Sequence, residues 1–222
     1  MAKIYYDGPS PKNQIYIHHT AGATKSPAKT IASWSKRTDK VSTHYITNNL
    51  GDKEQLYPDE AWGNHLGIKK STFAKYNLPW KHLNKFSLGI EMQSYGYLTL
   101  KSDGKYYNAY GGTVDPSTVG RPVDKNGNFI SYKGKKYYQK YNAANIAHVK
   151  DIVTGWMNKF NIPFVYDYDV LFPNSGESLS KAALGGEAGV YTHNSVKTGK
   201  TDVWPQKELL DMLKSIATEI KS

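Results

Sequence analysis

The fold can be predicted outward from one short segment, Ile15-Tyr16-Ile17-His18-His19-Thr20-Ala21-Gly22. Its apolar beginning predicts a short β-strand that ends at two histidines, and the small residues after it predict a turn. Side chains where a strand leads into a loop are held on a rigid scaffold, and catalytic groups are commonly displayed there. Neighbouring side chains of a strand point to opposite faces, so only one of the two histidines can face a given site. The alternation does not choose between them.

Further strands and helices follow along the chain. Ser26 and Pro27 are typical of a helix start, with an N-cap serine and a proline at the first helical position. Alternation of strands with helices predicts an α/β (mixed) fold, with one central mixed β-sheet flanked by helices. We find no linker, so residues 1–222 are predicted to form a single domain. The remaining predicted elements are a helix at Pro27–Arg37, a hairpin of Thr43–Asn48 with Lys53–Tyr57, a strand at Phe86–Gln93, a helix at Asn142–Phe160, a strand at Gly189–Thr192 and a helix at Pro205–Ile220.

Residues 97–135 form a predicted insertion that is rich in Gly, Tyr and Lys. Two similar segments, Lys105–Tyr110 and Lys136–Tyr141, flank it. Six positions are too few for a true repeat, so we expect two neighbouring strands of a tyrosine-faced flap. This flap either contacts a ligand or decorates the fold.

Composition narrows the classes of protein and site. The net charge of +10 attracts anionic polymers such as nucleic acid, acidic lipid or bacterial wall polymers, although the basic residues are spread along the chain and are equally typical of a solvated surface. The absence of Cys excludes disulfides and thiolate ligands, so a metal site must use His and carboxylate. No apolar run reaches membrane-spanning length, and the first residues lack the apolar core of a signal peptide. Synthesis in the cytoplasm is therefore expected.

His193 follows an apolar strand and opens a polar loop that runs to Asp202. A catalytic zinc site needs three protein ligands and one open position, which two histidines and an aspartate can supply. Taken separately, His18 and His193 are more often ordinary structural histidines. Glu91 lies within the apolar strand Leu88–Met92, where a carboxylate must find a partner or raise its pKa. It is equally well interpreted as a general base or as an edge-facing residue.

Five blocks of the sequence together resemble the type-2 N-acetylmuramoyl-L-alanine amidases, a superfamily that includes phage endolysins, bacterial autolysins and peptidoglycan recognition proteins. The blocks occur in the family's order across most of residues 14–205. One of them departs from the family's Ala-Trp-His-Ala-Gly pattern by two extra residues before the histidine. The five blocks are Ile15–Gly22, Ser42–Thr47, Ala61–Gly67, Asn84–Met92 and His193–Asp202.

The resemblance implies a zinc amidase of the peptidoglycan-recognition-protein fold. His18, rather than His19, would bind Zn²⁺ together with His193 and Asp202, and His19 would support the strand. Glu91 would act as the general base toward the attacking water. Lys200 would stabilise the developing oxyanion.

The resemblance also implies residues that bind substrate. His65 and Trp62 belong to the block that resembles the Ala-Trp-His-Ala-Gly segment. Thr43 stands where some relatives carry a catalytic tyrosine, which places more weight on Glu91. We expect all three side chains to contact the substrate.

The implied reaction is hydrolysis of the amide between N-acetylmuramic acid and L-Ala of peptidoglycan. The expected protein is a monomeric phage or prophage endolysin, without a separate wall-binding domain, that reaches the wall after its release from the host cytoplasm. Peptidoglycan, and with it anionic wall polymers, are the expected partners. The main alternative is a non-catalytic peptidoglycan-binding module of the same fold. A nucleic-acid binder is the weaker rival, because it leaves the His and Asp positions unexplained.

Overall fold

The structure of the protein is a computed structural model that describes residues 3–22 and 26–219. Within these residues the strands are β1 (Gln14–His19), β2 (Tyr45–Thr47), β3 (Lys53–Gln55), β4 (Ser87–Met92), β5 (Tyr97–Leu100), β6 (Tyr106–Tyr107), β7 (Thr113–Val114), β8 (Val119–Gly120), β9 (Tyr137–Gln139) and β10 (Gly189–Thr192). The α-helices are α1 (Pro27–Trp34), α2 (Lys70–Lys75), α3 (Leu83–Phe86), α4 (Ala143–Phe160), α5 (Tyr168–Leu171), α6 (Lys181–Gly185) and α7 (Lys207–Glu219). Short 3-10 turns lie at Pro116–Thr118 and His193–Ser195.

The central sheet has the strand order β10-β1-β4-β2-β3. Strand β1 is parallel to both of its neighbours, and β2 is parallel to β4. The edge strand β3 is antiparallel to β2, which makes the sheet mixed. The predicted α/β (mixed) class is thus confirmed.

Alternate residues of β1 enter two different cores. Ile15 and Ile17 are fully buried in the larger core, against residues of α4 and α7. Tyr16 points to the opposite face and packs in a smaller core with Leu184 of α6. Each fully buried aliphatic side chain stabilises the fold by about 1.5–3 kcal/mol, so the two cores fix which face of β1 is which. His18 has the same parity as Tyr16 and shares its face.

The insertion is a second sheet of strand order β7-β6-β5-β9-β8, which is antiparallel at every pairing. The two similar Tyr-rich segments were predicted to be direct neighbours, and this was wrong because β5 lies between β6 and β9. The Tyr106 and Tyr137 rings still meet across β5, with 5.1 Å between centroids. The sheet extends past residue 135 to Gln139, and Tyr138 stacks on Trp204 of the main core.

Most predicted elements are present with shifted ends. The first helix ends at Trp34 rather than at Arg37. The strand predicted to begin at Phe86 begins at Ser87, because Phe86 ends α3. The closing helix runs from Lys207 to Glu219, and its predicted last residue, Ile220, lies outside the described residues. Among residues 3–22 and 26–219, no helix has the length and apolarity that a bilayer crossing requires.

Candidate active site

Parallel strands bring three polar residues to one edge of the central sheet. His18 pairs in register with Glu91 across β1 and β4. Ile17 pairs with Thr192 at the end of β10, so His193 is the next residue past that edge. The carboxyl ends of parallel strands meet at the same edge of a sheet, which is a common place for ligand sites in α/β folds. The register therefore explains how distant parts of the chain meet.

The loop after β10 returns Asp202 to His193. The backbone N–H of Thr192 donates to Ser195 Oγ at 3.1 Å, which tightens the turn. Asn194 Nδ2 donates to the carbonyl of Val203 at 2.8 Å and closes the loop next to Asp202. His193 Nδ1 and Asp202 Oδ2 are consequently 3.0 Å apart.

The residues predicted as metal ligands converge on one point. His18 Nδ1 lies 3.0 Å from His193 Nδ1 and 3.7 Å from Asp202 Oδ2, and the three side chains are buried. Zinc–nitrogen and zinc–oxygen distances of about 2.0–2.2 Å place two ligands of a tetrahedral ion about 3.3–3.5 Å apart. The observed separations of 3.0 and 3.7 Å lie on either side of this ligand–ligand distance. The three donor atoms therefore have the spacing that zinc ligands require.

The protonation states suit a cation. Burial and, to a smaller extent, the neighbouring His193 lower the pKa of His18 to about 4. Burial alone would raise the pKa of Asp202, but the neighbouring imidazoles of His193 and His18 hold it well below its usual value. Neutral imidazole and ionised carboxylate are the forms that bind zinc.

Glu91 lies on the same face of the sheet as His18. Burial and the charge of Asp202, opposed by Lys200, raise its pKa to about 8. A carboxyl group with a pKa near the working pH can accept and return a proton, which is what a general base must do.

Lys200 carries the positive charge of the site. Its ammonium lies 4.0 Å from Asp202 Oδ1, and 39% of its side chain is exposed. The side chain lines both lobes of a cleft over the sheet edge, and these lobes have volumes of about 390 and 530 Å³.

Two of the three predicted substrate-binding residues line the cleft, and the third does not. Thr43 and His65 line the cleft, but the Thr43 hydroxyl donates to the carbonyl of Tyr45 and His65 contacts His18. Trp62 is not among the residues that line either lobe. Its ring stacks on Tyr6 with 4.0 Å between centroids. The substrate role of these residues stays a prediction.

Trp80 lines the larger lobe and was missed in the sequence. It is 49% exposed, which is unusual for such a large apolar side chain. The signal was its place after Pro79, in an irregular stretch rich in Trp, His and Lys.

His19 faces the side of the sheet opposite to His18. Its Nδ1 lies 2.6 Å from the hydroxyl of Tyr141. The sequence resemblance had placed His18 rather than His19 at the metal, and the metal-binding cluster contains His18 alone of the two.

Comparison with known proteins gives a family. A sequence model described as N-acetylmuramoyl-L-alanine amidase matches residues 8–206, which is most of the chain. No curated protein sequence matches the chain.

Solved structures of similar fold include several amidases. One is a selenomethionine derivative of AmpD, with a TM-score of 0.51 and 13% identity over 97% of this chain and 90% of that one. The catalytic domain of XlyA has a TM-score of 0.46 and 18% identity over 99% and 92% of the two chains. AmiD from E. coli, solved with anhydro-N-acetylmuramic acid-L-Ala-D-gamma-Glu-L-Lys, has a TM-score of 0.42 and 19% identity over 69% of this chain and only 46% of its own. At these identities the similarities concern the fold.

Proposed function

The chain belongs to the N-acetylmuramoyl-L-alanine amidase family, and on this premise we propose that it is a zinc-dependent enzyme that hydrolyses the amide between N-acetylmuramic acid and L-Ala of peptidoglycan. One observation carries the proposal. His18, His193 and Asp202 form a buried donor set beside Glu91, at the base of an open cleft. A module that only binds peptidoglycan needs neither this donor set nor a proton carrier.

The residues of the site divide the work of hydrolysis. Glu91 takes a proton from the attacking water and passes it to the leaving nitrogen of L-Ala. Lys200 balances the negative charge that develops on the carbonyl oxygen. The carbonyl carbon gains the water oxygen and loses the amide nitrogen, so the products are a lactyl carboxylate and a free L-Ala amine.

His18, His193 and Asp202 would hold the metal. A zinc ion there supplies a Lewis acid for the carbonyl and makes water acidic enough to give hydroxide near neutral pH.

The biological setting is part of the proposal. The chain acts as a single catalytic domain and a monomer, as an endolysin of a phage or prophage. It is made in the host cytoplasm and reaches the wall after release. Its partners are peptidoglycan and, through the net charge of +10, anionic wall polymers.

Zinc content and wall digestion test the proposal together. We expect one zinc per chain, loss of muropeptide release after chelation, and recovery on adding zinc. His193→Ala and Asp202→Ala should lose most of the metal. The alternative, a non-catalytic module of the same fold, predicts that the zinc-loaded protein adsorbs to walls and leaves every stem peptide attached.

A further inference from the structure

The dipeptide His65–Leu66 touches both candidate ligand imidazoles on the side away from the metal position. His65 Nδ1 lies 2.9 Å from His18 Nε2. The carbonyl oxygen of Leu66 lies 2.9 Å from His193 Nε2. One short segment therefore contacts the outer nitrogen of each ring.

A chain of hydrogen bonds determines which ring nitrogen of His18 carries a hydrogen. Ser87 Oγ lies 2.9 Å from the carbonyl of Leu83, and since a carbonyl only accepts, the single hydroxyl hydrogen of Ser87 points there. Ser87 Oγ must then accept from His65 Nε2, which lies 2.9 Å away. Among the described residues the hydrogen-bond partners of the buried His65 ring are Ser87 and His18, with no carboxylate, so the ring is neutral and Nδ1 is an acceptor. His18 Nε2 consequently carries the hydrogen that it donates to His65.

A single contact determines that Nε2 of His193 carries a hydrogen. The Leu66 carbonyl only accepts, so His193 Nε2 carries a hydrogen. The two Nδ1 atoms, which lie 3.0 Å apart, are then the ring nitrogens left to face a metal.

The dipeptide is itself fixed by its surroundings. Asn84 Oδ1 accepts from the backbone N–H groups of His65 and Leu66, at 3.1 and 3.0 Å. The His65 ring lies against Gly89 of β4, where an added Cβ would come within 3.1 Å of Nδ1. Glycine at this position leaves the room that the ring occupies.

We propose that His65 and Leu66 are positioning residues, which select the tautomer and orientation of His18 and His193 for metal binding. The inference rests on the proposed function, because it takes these two histidines as ligands. Groups that hold the outer nitrogen of a ligand histidine typically change metal affinity about 10–100-fold when removed. Both ring nitrogens of His65 are engaged within the protein, so this side chain has none left for the substrate.

Two substitutions of His65 separate positioning from packing. Asn places Oδ1 where Nδ1 stood and can still accept from His18, whereas Leu fills the space and cannot. We expect His65→Leu to weaken zinc binding about 10–100-fold, measured by competition with a chromophoric chelator. His65→Asn should remain within a few-fold of the wild type. Thermal unfolding of the metal-free variants verifies that both are folded.

Nitrogen-15 NMR of the metal-free protein gives a readout independent of zinc and of catalysis. Long-range proton–nitrogen correlations identify which ring nitrogen carries hydrogen. The wild type should show His18 and His65 as Nε2–H tautomers, and a hydrogen on Nε2 of His193, at one fixed pH. His18 should lose this single tautomer in His65→Leu and keep it in His65→Asn.

Gly89→Ala tests the positioning of His18 by His65 without removing a polar group. The added methyl should displace the His65 ring and weaken zinc binding at least several-fold. Gly155→Ala is the matched control, since nothing lies within 4 Å of a Cβ there, and it should bind zinc as the wild type does.

Opposite results overturn the inference. Unchanged zinc affinity in folded His65→Leu, together with a raised KM, would make His65 a substrate contact. A wild-type His18 in the Nδ1–H form would also contradict it. Failure of the proposed function is distinguishable, because it appears as intact stem peptides with the zinc-loaded wild type, whatever the tautomers are.

Discussion

Glu91 is a carboxylic acid in a place where its own charge is costly. It sits in a strand whose neighbours Ile90 and Met92 are fully buried, and Asp202 adds a second negative charge nearby. A structural role would be served better by an apolar residue. The position is understandable if a proton must be moved there.

Replacing Glu91 by Gln should separate chemistry from metal binding. We expect the amidase rate to fall about 10²–10⁴-fold, because the proton acceptor is lost. Zinc affinity should stay within a few-fold, since Glu91 is not in the donor set. The rate on purified peptidoglycan and the zinc dissociation constant measure the two effects. Glu54→Gln, on the exposed strand β3, is the control, and a Glu91→Gln enzyme of nearly normal rate would refute the base assignment.

The raised pKa of Glu91 also predicts how the stability of the metal-free protein depends on pH. The folded protein holds this proton up to a pKa of about 8, whereas the unfolded chain releases it near 4.5. The unfolded state therefore binds fewer protons between these values, and stability decreases as pH rises through them. Wild type minus Glu91→Gln should show a difference in unfolding free energy that declines from pH 6.5 to 8.5. Urea unfolding at fixed ionic strength measures it, and a difference independent of pH would contradict the assignment.

Sequence alone could identify some residues of the site and not others. His18, His193 and Asp202 were predicted because their residue types limit them to a few roles and the family motifs cover them. The Leu66 carbonyl could not be predicted, since a backbone oxygen carries no mark in the sequence. The contact between His65 and His18 depends on the packing of β4 against the 61–67 segment, which periodicity does not encode.

Among the secondary-structure elements, β1 is preceded by a buried lysine whose ammonium holds the chain in place. Lys12 is 5% exposed, and its Nζ donates to the carbonyls of Ala61 and Lys85 at 2.7 and 3.1 Å. Burial lowers its pKa to about 8, against the opposing charges of Asp59 and Glu60. The ammonium thereby ties together the segments that lead to His65 and to β4.

Lys12→Met should destabilise the fold while leaving its apolar contacts in place. The carbonyls of Ala61 and Lys85 lose the ammonium as a donor and keep His44 Nε2 and Ser10 Oγ, and a lost hydrogen bond to a charged group costs about 1.5–3 kcal/mol. Chemical denaturation should show a loss of this size. Lys53→Met, on exposed strand β3, should change stability by no more than about 0.5 kcal/mol. An equal effect of both substitutions would remove the special role of Lys12.

Predicted elements failed mainly at their ends, for local reasons. The second strand was predicted from Thr43 but begins at Tyr45; the backbone of His44 still hydrogen-bonds to Gly89 and Leu56, while the N–H of Gly89 donates to the His44 ring at 3.2 Å instead of to a backbone carbonyl. Phe86 was assigned to the following strand on its apolar character, yet it closes α3. The predicted pairing of the two Tyr-rich segments was wrong because their similarity gives no information on β5, the strand that lies between them.

For the whole molecule, the positive charge is unevenly distributed. Residues 97–140 contain eight basic and three acidic residues and so contribute half of the net charge of +10. The backbone pairs Lys101 with Lys105 at one end of the second sheet. Lys101 and Lys135 lie over tyrosine rings. Like charges placed close together are destabilising, so an anionic partner would relieve this surface.

Reversing this charge should weaken adsorption to bacterial walls. We expect a variant with Glu at Lys101, Lys105, Lys135 and Lys136 to bind sacculi less tightly at low salt and to lose most of the salt dependence. Sedimentation with sacculi, with and without their anionic polymers, measures this. The control carries Glu at Lys53, Lys75, Lys85 and Lys181, which has the same net charge. Equal loss in both variants would mean that total charge, rather than the insertion, attracts the wall.

The proposed function requires this site to cleave the amide bond between the lactyl group and L-Ala. Mass spectrometry of purified peptidoglycan digested by the zinc-loaded wild type tests it most directly, with Glu91→Gln as the parallel digest. We predict release of stem peptides that begin with a free L-Ala amine, in the wild-type digest only. Stem peptides that stay attached to muramic acid, or cleavage at any other bond, would contradict the account.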